Sequence, residues 1–151
     1  MKYAAELEEF DHFLMIMDDQ LEALEDKAGD YGISLTLAPE SFDKLELLFD
    51  KMSEEADKET RADLIITFGR YLGEIVRETY GGTWHLPLDD PKNVNFNSPV
   101  IIGHSPAAAV EFVPINVMRA YALRRRTGLL REAVMAQANP QPLDIDHMEE
   151  K

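Results

Sequence analysis

Between Phe68 and Leu86 the chain reads FGRYLGEIVRETYGGTWHL. An apolar helical pattern carries Gly69 and Gly73 one turn apart, stops at Gly81-Gly82, and is followed at once by Trp84, the only tryptophan. The pattern begins near Asp57–Thr60 and runs to about Tyr80. Ala62, Leu64, Ile65, Phe68, Leu72, Ile75, Val76 and Tyr80 cover most of its circumference. Asp63, Thr67, Arg70, Glu74 and Arg77 form one narrow polar stripe. A helix with so much apolar girth lies at the centre of its domain. Each mid-helix glycine costs about 1 kcal/mol relative to alanine. Two on one face therefore imply that another backbone or an aromatic ring comes close. Tight packing is the expected reading, and room for a ligand is the alternative.

The flanking segments must cover this helix. Tyr3, Leu7, Phe10, Leu14, Met17, Leu21, Leu24 and Ala28 alternate spacings of four and three, a heptad seam that predicts one long helix. Phe13 and Ile16 widen the seam, and Gly29 ends it. Ile33–Ala38 reads as a loop or extended piece. Ser41 reads as the N-cap of a second helix whose face is Phe42, Leu45, Leu48, Phe49, Met52 and Ala56. After Gly82, three short strands are predicted: Thr83–Leu88, Val100–Ile102 and Val110–Val113. The polar loop DDPKNVNFN lies between the first two. Pro114 opens a final helix with a bend or interruption at Gly128. The expected fold class is α+β: three N-terminal helices, a three-stranded antiparallel meander and a long C-terminal helix. Residues 1–138 read as one domain, and 139–151 as a flexible polar tail.

Charge is distributed unevenly. The net charge is −14. Residues 1–60 hold 18 acidic residues against 5 lysines, so nearly all of the excess lies in the first two helical segments. A field of one sign repels nucleic acid and anionic membrane and steers cationic partners toward itself. The chain has no cysteine, which excludes disulfides and thiolate chemistry and fits a reducing compartment. No apolar run reaches membrane-spanning length and MKYAAELEEF lacks a signal-peptide pattern, so a cytoplasmic location is expected.

Candidate chemistry is sparse. Glu74 sits on the polar stripe of a mostly buried helix. His85, beside Trp84, would be its partner in a general-base arrangement. The competing reading pairs Glu74 with Arg70 or Arg77. His104 reads as a hydrogen-bonded loop residue. Glu9-x-x-His12 resembles half of a di-iron pair, but the remaining carboxylates of such a site are missing. No phosphate-binding loop or nucleophile elbow is present. No metal or cofactor is expected. Arg119, Arg124, Arg125, Arg126 and Arg131 form a basic patch expected to pair with the N-terminal acids.

The run Gly69-x-Tyr71-Leu72-Gly73-Glu74-x-x-Arg77, followed by Gly81-Gly82-x-Trp84, resembles a signature of small bacterial domains of unknown function. Some relatives of that type are associated with toxin immunity. The resemblance covers about residues 60–125 and implies helices flanking a small sheet, with no catalytic residues to carry over. The expected function is a binding protein whose acidic face captures a basic protein partner. Asp11, Asp18, Asp19, Glu22, Glu25 and Asp26 are the contacts, and Glu74, Trp84, His85 and His104 are secondary candidates. The alternatives are an assembly module that oligomerises, as a homodimer, through the heptad seam, and an enzyme centred on Glu74 and His85.

Overall fold

The computed structural model describes residues 2–105 and 110–137. Six α-helices and a two-stranded antiparallel sheet make up the described architecture: α1 Ala4–Met15, α2 Met17–Asp30, α3 Phe42–Ser53, α4 Lys58–Tyr80, β1 Thr83–His85, β2 Val100–Ile102, α5 Pro114–Arg124 and α6 Leu129–Gln137. The mixed, helix-dominated character agrees with the α+β expectation. The predicted tail from 139 onward lies outside the described residues.

The central helix is α4. It packs on α2, α3 and, most extensively, α5. Every residue from Phe68 to Val76 is buried. Its start is fixed locally, because Asp57 accepts a 2.7 Å hydrogen bond from the Thr60 backbone N–H at the N-cap. Its end is fixed by Gly81, at φ +87°, and Gly82, at φ +99°. A Cβ on Gly82 would stand 2.7 Å from the Ile102 carbonyl oxygen, so glycine lets β1 turn back against β2.

Three expectations need correction. The N-terminal seam is not one helix: the chain breaks at Ile16, and the inward residues become Phe13, Met17, Leu21, Leu24 and Ala28, with Leu14 left 37% exposed. The Phe13 ring packs edge-on against Trp84 at 5.1 Å between centroids, and this contact sets the roll of α1 independently of α2. The third strand is reduced to a single bridge, Ile101 to Phe112, with hydrogen bonds of 2.8 and 3.0 Å. Pro114 begins α5 two residues later and ends any ladder, since proline has no N–H to donate. The last helix is two helices. Arg125 takes a left-handed conformation at φ +52° and Gly128 lies at φ +90°, so the chain turns between α5 and α6. Ser41 also departs from expectation: its hydroxyl accepts from the Thr36 N–H at 2.9 Å and makes no cap bond to α3.

The turn into α6 is held from α3. The buried Glu46 carboxylate accepts from the backbone N–H groups of Gly128 at 2.9 Å and Leu130 at 3.0 Å. A carboxylate at a helix N-terminus both satisfies orphan donors and complements the helix dipole. On the same face of α3, Asp50 accepts from the Tyr121 hydroxyl at 2.9 Å and from Arg125 at 3.0 Å, and Asp43 lies 3.6 Å from Arg131. Part of the basic patch therefore pairs inside the molecule, with α3. Replacing Glu46 with alanine strands one buried and one partly buried N–H group and is expected to destabilise the fold by about 2–4 kcal/mol. Denaturant unfolding measures this, and a loss below about 0.5 kcal/mol would remove Glu46 from its role as a cap.

Candidate functional site

The signature residues of α4 meet β1 at one place. Trp84 lies across α4 where Gly73 leaves a gap: a Cβ there would overlap the indole atoms Cζ2 and Cη2, and would stand 3.0 Å from Pro114 Cγ. One turn earlier, a Cβ on Gly69 would stand 2.8 Å from Ile115 Cγ1. The two glycines thus admit the indole and the start of α5, which is the packing expected of them. The indole Nε1 donates to Glu74 at 2.6 Å. Arg77 donates to both oxygens of Glu74, at 3.0 and 2.9 Å, and its Nε donates to the Gly82 carbonyl at 3.2 Å. Glu74 is 7% exposed, so its charge is stabilised by one arginine and one indole N–H.

Of the two readings for Glu74, the arginine pairing is the one observed: Glu74 is held by Arg77 and Trp84, and among the described residues no hydrogen bond or ion pair joins it to His85. Consecutive strand residues point to opposite faces, so the indole that reaches Glu74 turns His85 away. His104 is 4% exposed: its Nε2 lies 3.3 Å from the Gln137 carbonyl oxygen, and its Nδ1 is buried with no hydrogen-bond partner among the described residues. Burial holds its pKa below the ordinary 6.5, with the Gln137 contact opposing in part.

Arg70, the other arginine expected as a candidate partner of Glu74, packs instead on Phe13, and its burial was not foreseen. It is 7% exposed, its guanidinium lies 4.4 Å from the centre of the Phe13 ring, and its Nε has no hydrogen-bond partner among the described residues. Desolvation lowers its pKa, yet a guanidinium stays charged. Its place on the polar stripe of a mostly apolar helix is the one feature of the sequence that bears on its burial.

The six acidic candidates are all exposed, Asp11 on α1 and the others on α2. Glu25 differs from the rest because it accepts the Tyr71 hydroxyl at 2.8 Å. Burial of that hydroxyl and the adjacent carboxylate both raise the Tyr71 pKa. Glu25 thus ties α2 to the core. Asp11, Asp18, Asp19, Glu22 and Asp26 have no recorded hydrogen bond or ion pair among the described residues. Among the described residues, no helix is long and apolar enough to cross a membrane. The chain matches no protein-family model, no curated protein and no solved structure.

Two outcomes check this description. Gly73→Ala is expected to lose about 2–4 kcal/mol, because overpacking and the displaced Trp84–Glu74 bond outweigh the helix-propensity gain. Gly29→Ala, whose Cβ would meet nothing within 4 Å, is expected to gain up to about 1 kcal/mol. Paired unfolding curves give both signs, and equal signs would show that the indole does not fill the gap. His104 sets a pH dependence. Its folded pKa is depressed, so the neutral form contributes stability that is complete above 6.5 and falls as pH drops from 6.5 toward the folded value. The stability difference between the wild type and His104→Leu should therefore shift with pH across that window. A constant difference would place His104 in solvent.

Proposed function

We propose that this protein is a binding protein of the immunity-inhibitor type, whose acidic α1–α2 face captures a basic protein partner. The observation that carries the reading is the division of its carboxylates into two groups. On α3, Asp43, Glu46 and Asp50 serve the C-terminal arginines, Tyr121 and the start of α6. On α1 and α2, Asp11, Asp18, Asp19, Glu22 and Asp26 face solvent without a recorded partner among the described residues. Asp18 and Asp19 lie in the first turn of α2, where negative charge favours the helix. That accounts for two of the five positions and leaves the others to act outward. A surface of this kind accelerates encounter with a cationic partner and selects against anionic ones.

The seam residues that would serve an assembly module, Met17, Leu21, Leu24 and Ala28, are packed in the chain's own core. Glu74 is engaged by Arg77 and Trp84, so its contacts lend no support to an enzyme centred on Glu74 and His85. Neither alternative is supported by a specific observation.

The test is a fourfold reversal, Asp18→Lys, Asp19→Lys, Glu22→Lys and Asp26→Lys, with Glu25 kept to preserve the Tyr71 bond. Affinity capture with the wild-type chain supplies the partner, and stopped-flow mixing supplies the rates. Association is expected to slow by about tenfold or more at low salt, with dissociation changing less. The difference should shrink above ~0.15 M salt, where the screening length is about 8 Å. Circular dichroism should show the fold retained, with a stability loss near 1 kcal/mol from the two first-turn positions. An association rate within about twofold of wild type at low salt would reduce the face to a solvated surface.

A further inference from the structure

Beside the acidic face, a cavity of about 210 Å³ opens between α1, α4 and the segment after β1. Its apolar walls are Phe10, Phe13, Ile66 and Leu86, and two carboxylates, Glu6 and Glu9, line it from α1. Glu6, Glu9, Phe10 and Phe13 share one face of α1 because they are spaced by three or four residues. Neither carboxylate has a recorded hydrogen bond or ion pair among the described residues. Ile66 is 38% exposed there, a large apolar side chain that the core does not cover.

We infer that this cavity receives a lysine or arginine side chain of the basic partner, an assignment that rests on the binding-protein reading above. Such side chains lay an aliphatic stem along apolar surface and keep the charged head at a polar edge. The cavity offers the complement, with Ile66, Leu86 and Phe10 for the stem and Glu6 and Glu9 for the head. Its volume suits one long side chain and falls short of the ~300–1,000 Å³ typical of drug-sized ligands. Arg70 already stacks on Phe13, which weakens the pull of that ring on a second cation. The incoming charge therefore seats against the carboxylates. An anionic ligand is disfavoured by the same two groups.

The probes are N-acetyl-lysine amide and N-acetyl-arginine amide, titrated into the full chain and followed by methyl and amide NMR shifts. N-acetyl-norleucine amide is the uncharged control. The expected result is a saturable shift confined to Ile66, Leu86, Ile115 and the α1 residues. It should weaken by about tenfold in Glu6→Gln/Glu9→Gln, be lost in Ile66→Trp, and stay within about twofold in the α2 reversal. Absence of saturable shifts, equal binding of the norleucine control, or shifts spread along α2 overturns the assignment. Equal binding of cadaverine overturns it in favour of a small-amine site. The isolated partner separates the two readings. If the α2 reversal slows its association while Glu6→Gln/Glu9→Gln binds it like wild type, the cavity assignment fails and the acidic-face reading stands. If the α2 reversal has no effect, the acidic-face reading itself fails.

Discussion

Trp84 reaches Glu74 only because residue 73 has no side chain. The indole lies on the bare backbone of α4, its N–H meets a buried carboxylate at 2.6 Å, and Arg77 holds that carboxylate from the next turn. The ring also supports Phe13, and through it α1, while Pro114 and Ile115 at the start of α5 press on the same glycine-lined face. Four elements, α1, α4, β1 and α5, are therefore positioned by one planar side chain and two missing ones. A buried carboxylate is stabilised only when its partners are complete, since leaving a buried charge unpaired costs about 3–5 kcal/mol. The Glu74, Arg77 and Trp84 contacts thus stand or fall together. Arg77 adds the link to the Gly82 carbonyl that fixes the turn into β1.

The charges divide along the same line. The α3 acids sit within reach of the C-terminal arginines and of α6, so their negative charge serves cohesion. The exposed acids Asp11, Asp18, Asp19, Glu22 and Asp26 of α1 and α2 form no ion pair among the described residues. Charges of one sign gathered on one surface raise the free energy of the compact state by self-repulsion. The fold does not neutralise this repulsion by folding its own arginines over α2. Instead Arg125 and Arg131 turn to Asp50 and Asp43. On the binding reading proposed above, a basic partner would relieve that repulsion in addition to making its individual contacts.

Much of the local architecture was legible in the sequence. The 58–80 helix, its stop at the glycine pair and the close approach at Gly69 and Gly73 follow from periodicity and from what glycine costs inside a helix. What sequence could not supply was the outcome of long-range contacts. The seam through Leu14 obeys heptad spacing, yet the Phe13 contact with Trp84, seventy-one residues away in the chain, rolls α1 out of register with α2. The last helix carries a turn where Glu46, eighty-two residues earlier, holds the N–H of Gly128. Glu74 was legible as a partly buried carboxylate with Arg77 among its candidate partners, but its second partner was not. The i,i+3 arginine could be read from spacing, while the indole required knowing on which face of β1 it falls. Arg70 carried no signal beyond its place on the stripe.

The acidic face is mechanically close to the core without being part of it. Its polar tie inward is the hydrogen bond from Tyr71 to Glu25, and its apolar tie is the packing of Met17, Leu21, Leu24 and Ala28 together with the Phe13 ring that Arg70 and Trp84 contact. Substitutions at Asp18, Asp19, Glu22 and Asp26 therefore alter the outward field while leaving both ties intact. A change at Glu25 is different in kind, because it removes the acceptor of a buried tyrosine hydroxyl and so acts on the fold before it acts on any partner. The same reasoning separates the two aromatic residues of α1. Phe13 belongs to the set that fixes Trp84, whereas Phe10 stacks on it at 6.3 Å and stays partly open at the cavity. On the binding reading proposed above, the cavity has Phe13 as the fixed ring behind and Phe10 as the open ring in front, an arrangement in which Phe13 orients α1. The break at Ile16 supplies it by letting α1 follow Phe13 rather than the seam of α2.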